Sequence, residues 1–472
     1  MRSSILAGAA SLAVAVAVAV AAAGCSDAQR QNSSEKAASQ AGYTFPSPPP
    51  AAVAGPVAPA VREAVTRLLD FAVGGVIDAN SLVTLGESRD ARLGWLVSDL
   101  LRFYQGSPAD ERLVDAFGRL TGVDVRADPR FGEGSWRTVT DDLIAWDTPA
   151  PPGYRDWKAK LFLLVEPAWK PFFDDSRSEI DWRRVSWGGV LIDDRKLGSR
   201  KPCQRGCIPA LDDPKLTAAS MGDWYPDDRV VFGIVVGGHA VAFPKNVMEV
   251  HEMVNVTIGG RRLGIPYCTL CGSAQAFFLD TVPSGVVRPV LRTSGLLNRS
   301  NKVMYDLVTR SVFDTFTGRA LSGLLHREAV TLPQATVVTS TWAEWKQAHP
   351  ATMIVAHDGG IGRTYELDPL HGRDDNGPIF PIGDVDPRLA VQTPVVGVIA
   401  PDGRAVAFVA DTARAALKAG RSVTAEGIDL VADGGGLRAR TSAGRELPAH
   451  QAFWFAWSQF HPGTELWRAP SG

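Results

Sequence analysis

The chain has 472 residues, 45% of them hydrophobic, with a formal net charge of −2 and a pI of about 6.5. That length suits two or three domains with ample core, and the balanced charge excludes the basic excess expected of a nucleic-acid binder. Thirteen Trp and 32 Pro favour a loop-rich, aromatic-cornered architecture over a helical bundle.

Arg2 and the uncharged run from Ile5 to Ala23 read as an export signal, closed by Ala22-Ala23-Gly24-Cys25. Small residues ahead of a cysteine resemble a bacterial lipobox, so Cys25 is the expected lipidation site. An ordinary signal peptide or a membrane anchor is the alternative. The expected setting is therefore a lipid-anchored lipoprotein on the periplasmic or extracellular face of the cell envelope, its membrane contact made through the N-terminal lipid. Residues 26–60, rich in Ser, Gln, Ala and Pro, read as a disordered tether.

Residues 61–180 are expected to form a helical domain. Val61, Val65, Leu68, Leu69 and Ala72 recur at spacings of three and four, as one buried helix face requires. Leu82, Leu85, Leu93, Leu96, Leu100 and Leu101 continue this around a Gly86–Asp90 turn that looks like a HEAT-type unit, and Leu113, Ala116, Phe117 and Leu120 suggest a further helix.

Residues 181–469 carry an internal likeness. Trp345 and His349 match Trp457 and His461 at a constant offset of 112. Upstream, Val231–Phe243 matches Val395–Phe408 at an offset of 164, then 165. Each upstream segment reads as strand, Gly turn, strand. The fold expected is thus α+β: a helical N-terminal domain, then a β-rich domain built from a degenerate tandem repeat with copies at about 225–355 and 390–467. The first copy is about fifty residues longer between these landmarks, and most of the candidate chemistry falls there. The Trp and His residues common to both copies are expected to be structural.

Apart from Cys25, the cysteines form two pairs, neither with a counterpart in the second copy. Cys203-x3-Cys207 suits a structural disulfide or cross-pairing with the other cysteines. Cys268-Thr269-Leu270-Cys271 lets two sulfurs converge, which suits a metal knuckle, a redox pair or an inert bridge. His251 is a candidate third metal ligand. His-Glu-x-x-His fails as a zincin motif, since Asn255 stands where the second His belongs. Two thiolates, His251 and thioethers from Met248, Met253 or Met304 would suit soft copper better than magnesium or calcium.

The motifs His251-Glu252-x-x-Asn255, Tyr267-Cys268-x-Leu270-Cys271-Gly272 and Ser300-Asn301-x-Val303-Met304-Tyr305-Asp306 resemble the domain of unknown function 3179 family. The resemblance runs over roughly 181–467 and implies one shared site containing His251, Glu252, Cys268, Cys271, Tyr305 and Asp306, with no firm activity attached. Similar proteins carry Pro where this chain has Thr269, and Trp where it has Val250. Their Trp/Gln-lined pocket has no match at Ser311–Thr315.

Three functions follow. The first is an envelope metal-binding protein with Cys268, Cys271 and His251 as zinc or copper ligands and Glu252 or Asp306 orienting the imidazole. The second is a thiol-disulfide enzyme using Cys268 and Cys271, with Glu252 and Asp306 as catalytic candidates. The third is a non-catalytic binding or scaffold lipoprotein. Tyr267, Asn255 and Tyr305 are candidate pocket residues, and the protein or small-molecule partner is not specified by the sequence. Asp433-Gly434-Gly435-Gly436 lacks the Lys-Ser or Lys-Thr of a phosphate loop, and no Gly-x-Ser-x-Gly elbow occurs.

Overall fold

The computed structural model describes residues 45, 54–374 and 377–469. The expected signal segment, Cys25 and most of the tether lie outside these. Among the described residues no helix is long and apolar enough to cross a membrane.

Seven α-helices follow one another between residues 59 and 174: Pro59–Val73, Ala79–Glu87, Gly94–Tyr104, Asp110–Thr121, Ser135–Ala145, Tyr154–Val165 and Lys170–Asp174. The first starts on Pro59, whose missing N–H is unneeded at a helix start. The second is capped by Asp78, which accepts from the Ser81 amide at 2.9 Å. Gly122 closes the fourth in the left-handed region at φ 77°. The apolar faces read from the sequence are the buried ones, with Val65, Leu68, Leu96, Leu100 and Phe117 all fully covered. Burying each such side chain contributes about 1.5–3 kcal/mol.

Five β-sheets follow. Sheet A orders Val185–Trp187, Leu291–Asn298, Asn301–Asp306 and Val312–Phe313. Sheet B orders Gln334–Ala335, Ala276–Phe278, Arg261–Cys268, Met253–Ile258 and Leu211–Asp212, with Ser273–Ala274 pairing back onto Arg261–Cys268. Sheet C orders Val338–Thr341, Val230–Val236, His239–Pro244, Met353–Val355 and Leu216–Ala218. Sheet D orders Ala449–Phe453, Pro394–Ile399, Ala405–Val409 and Glu465–Trp467, and sheet E is the meander Val423–Ala425, Ile428–Asp433, Gly436–Thr441 and Glu446–Leu447.

This corrects the expected fold class. The β-region is a propeller-like array of five small sheets rather than a domain built by repeating one unit. The internal likeness corresponds to the hairpins of sheets C and D and to the short helices Trp342–Ala348 and Trp454–Phe460. Sheets A, B and E fall outside those landmarks, and local periodicity carries no information on how strands are shared among sheets. The helices are not a separate layer either. Leu68, Phe162, Trp169 and Phe172 share one apolar core with Val185, Leu296, Val303 and Tyr305 of sheet A. Trp169 Nε1 also donates to the Ser294 carbonyl at 2.7 Å.

In sheets C and D the paired tryptophans explain two glycines. A Cβ on Gly233 would lie 2.3 Å from the Trp345 ring, and one on Gly397 would lie 2.1 Å from Trp457. Each indole N–H is satisfied by a threonine, Trp345 by Thr352 at 3.0 Å and Trp457 by Thr464 at 2.9 Å. His349 and His461 each pack on their tryptophan at 4.1 Å between centroids.

Candidate functional site

Cys268 ends the strand Arg261–Cys268, and a single 3₁₀ turn, Thr269–Cys271, carries the chain to Gly272. Gly272 is left-handed at φ 56°, and a Cβ there would meet the Phe453 ring of sheet D at 3.0 Å. This tight reversal turns both sulfurs toward one acceptor. Cys268 Sγ and Cys271 Sγ lie 3.7 and 3.5 Å from the Ser300 carbonyl oxygen. Both cysteines are free thiols and buried, in an apolar cluster with Phe316, Ile382, Val395, Trp454 and Trp457.

Asn301–Asp306 of sheet A completes the surroundings. The Lys302 amide donates to Cys268 Sγ at 3.4 Å. The Lys302 ammonium donates to the Glu252 carbonyl at 2.6 Å and pairs with its carboxylate at 2.7 Å. Glu252 ends the helix Lys245–His251 in a left-handed conformation at φ 50°, a costly backbone for a non-glycine residue. Sheet B, the helix end and sheet A thus each bring one part of the site.

The two thiols are unlike. Burial pushes Cys268 up, yet the hydrogen bond from Cys271, the Lys302 amide and the Lys302 charge outweigh it against Glu252, and its net shift is downward. Cys271 is held well above the ordinary thiol value by burial, by Cys268 and by Glu252. A dithiol in which one sulfur ionises first while its neighbour keeps a proton is the asymmetry that nucleophilic thiol chemistry uses. Among the described residues, Ser273 Oγ, Ser300 Oγ and Asn301 Oδ1, on segments that adjoin the pair, are buried without a hydrogen-bond partner. On the outer side of the Lys302 strand, a cavity lined by Trp182, Leu296, Asn301, Lys302, Thr315 and Phe460 runs between the helices and sheet A.

His251 does not join the thiols. Its Nδ1 lies 2.6 Å from the Pro209 carbonyl and its Nε2 lies 2.7 Å from the Tyr365 hydroxyl, so both ring nitrogens are engaged. Burial lowers its pKa to about 4, leaving it neutral at neutral pH. Among the described residues, Cys268, Cys271 and His251 form no three-ligand group. Met248, Met253 and Met304 are packed in apolar clusters that contain neither cysteine.

Asp306 is also apart from the thiols, because its carboxylate accepts from the Val290 and Thr309 amides at 2.7 Å and closes a turn. Of the two acidic candidates, only Glu252 meets the cysteine surroundings. Asn255 ties sheet B to sheet A, donating to Asp212 at 2.9 Å and to the Leu291 carbonyl at 3.0 Å. Tyr305 donates to the Asp193 carbonyl at 2.8 Å, and Tyr267 packs on Phe232. Asn255 and Tyr305 thus both border the buried network of Asp212, Arg292 and Asp193, whereas Tyr267 packs in the core of sheets B and C.

The ligand-type group that comes together among the described residues is Asp193 with Cys203 and Cys207, whose ligand atoms lie within 4.8 Å of one another. Here the sulfurs form a disulfide. Asp193 is occupied by Arg195 Nε at 2.6 Å and by the Ala210 amide at 2.8 Å. Behind it, fully buried Arg292 reaches Asp193 at 3.6 Å and Asp212 at 2.6 Å. As it stands, this is a cross-linked ion-pair knot.

Lys302 and Ser300 are the site residues that sequence reasoning missed. They stand inside the Ser300–Asp306 motif, but their approach to the cysteines depends on pairing across sheets.

A model of the family described as "Protein of unknown function (DUF3179)" matches residues 205–445. The chain belongs to this family, whose description assigns no activity. No curated protein matches the chain, and no solved structure matches it.

Proposed function

We propose that Cys268 and Cys271 form a thiol-disulfide redox couple, with Cys268 as the attacking thiolate and Cys271 as the resolving thiol. The observation that carries this reading is the convergence of two free, unequal thiols on the Ser300 carbonyl, with the Lys302 amide at Cys268. Cys268 attacks a disulfide sulfur, that S–S bond breaks, and the first thiolate leaves with its electron pair. Cys271 then loses its proton and attacks Cys268, releasing the second thiolate. Two electrons pass to the substrate, and Cys268–Cys271 becomes the disulfide. Lys302 and Glu252 act as positioning residues around the attacking sulfur. Burial of both thiols favours a small disulfide over one on a folded protein surface.

A second reading is a soft monovalent metal held between the two thiolates. It is favoured by the two buried sulfurs that converge at the Ser300 carbonyl, since thiolates are the donors a soft metal prefers. A tetrahedral zinc set fits poorly, because His251 is turned to Pro209 and Tyr365. The chain is further proposed to act as an exported lipoprotein anchored through Cys25, on the strength of its Ala22–Cys25 motif. Palmitate labelling that is lost in Cys25→Ala would support the anchor, and unchanged labelling would refute it.

The deciding experiment equilibrates the protein in thiol/disulfide buffers, alkylates it and weighs it, while elemental analysis measures copper and zinc. A reversible two-electron transition that vanishes in Cys268→Ser and Cys271→Ser supports the redox couple. Thiols that never oxidise overturn it, and stoichiometric copper lost in both variants favours the second reading.

A further inference from the structure

A small cavity at the joint between the helices and sheet A is unused by the thiol site. Five of its lining residues are cations, Arg102, Lys158, Arg183, Arg184 and Arg299, against one carboxylate, Asp99. Asp99 is already engaged by Lys158 at 2.6 Å and by the Tyr154 hydroxyl at 2.8 Å. Arg183 pairs with Asp147 and Asp181, Arg184 with Asp147, and Arg299 with Asp384. Among the described residues, Arg102 has no carboxylate partner.

Its guanidinium lies 4.6 Å from the Trp136 ring, 5.0 Å from Trp187 and 5.8 Å from Phe380. Nε donates to the Trp187 carbonyl at 2.8 Å, and among the described residues the terminal nitrogens have no acceptor. Ring faces compensate the charge, but they leave the in-plane N–H donors unsatisfied. Desolvation alone pulls the Arg102 pKa down to about 10, with no anion opposing it. Arg299 also lines the cavity, its Nε buried and its guanidinium paired with Asp384, and adds positive charge there. The unused terminal donors of Arg102 thus meet one cavity with room for about one water-sized guest, and further cations line it.

We propose that this cavity binds a small inorganic monoanion of chloride size, held by the terminal N–H groups of Arg102, with Arg184 and Arg299 adding positive potential. Arg102 belongs to the helix Gly94–Tyr104 and Arg299 to the turn between two strands of sheet A, so the anion sits where the two meet. A phosphate or an organic carboxylate is too large for the space.

The test compares the full chain in sodium chloride, sodium bromide and sodium gluconate at equal ionic strength. Both halides should raise the melting temperature saturably over gluconate, by on the order of 2–4 °C. Arg102→Gln should lose the difference. Crystals grown in bromide should show an anomalous peak beside the Arg102 guanidinium, a readout that needs no variant. Equal melting in all three salts, or a cavity without bromide, overturns the proposal and leaves water as the occupant.

Discussion

The Lys302 amide points its N–H at the sulfur of Cys268, and the ammonium of the same residue is clamped to Glu252. One lysine therefore supplies both a fixed dipole and a charge to the thiol, and Glu252 opposes the charge. Lys302→Met should raise the Cys268 pKa, since the amide stays while the ammonium goes. Glu252→Gln should lower it. Thiolate absorbance followed against pH checks both, and shifts in the same direction would show that these charges do not govern the sulfur.

Arg292 is fully buried between Asp193 and Asp212. Arg292→Met would strand two buried carboxylates, at a cost of about 3–5 kcal/mol. Urea unfolding of the variant measures the loss, and a change under 1 kcal/mol would mean that water reaches this cluster.

Gly233 and Gly397 give their tryptophans room that no side chain can share. Ala at either position should cost about 1–3 kcal/mol through overpacking, although both backbones are ordinary strand. Thermal unfolding should register it in each variant, and a neutral result at both sites would show that the indoles can move.

His450 is buried, its Nε2 has no partner, and burial with the His461 charge lowers its pKa to about 3. The unfolded residue binds a proton near pH 6.5, so the folded chain binds fewer protons below that value. The associated stability is fully present above pH 6.5 and is lost as pH falls toward 3. Between pH 7 and pH 5 this one histidine accounts for about 2 kcal/mol. His450→Gln should remove that part, so the stability gap between wild type and variant should shift by that amount over this range. A gap that stays constant would place the imidazole in contact with water.

Much of the local structure was legible in the sequence. Val61, Val65, Leu68, Leu69 and Ala72 declared a helix face, because a buried stripe must recur every three or four residues. The Gly237-Gly238 turn declared its hairpin, because both positions need positive φ. The cysteine pair and Glu252 were legible as chemistry-bearing residues. What stayed hidden depends on pairing across sheets. Ser300 and Lys302 reach Cys268 from sheet A, and nothing in their spacing announces it. The side chain of His251 was equally hidden: its place beside Glu252 suggested a ligand, whereas its ring turns toward Tyr365, 114 positions later. Sheet partition was misjudged for the same reason, since periodicity reports which residues face inward but not which strands are neighbours.

The shared core of helices and sheet A has a consequence for where the molecule can be divided. The family match opens at residue 205, whereas the edge strand Val185–Trp187, the indole of Trp169 and the carboxylate of Asp193 all come earlier. A chain cut at 205 would strip sheet A of an edge and expose the apolar face around Leu296 and Val303. The stretch that recurs among relatives and the body that folds thus have different borders. In this chain the segment ahead of residue 205 supplies the cover for that face, so it is indispensable to the fold although it lies outside the matched stretch.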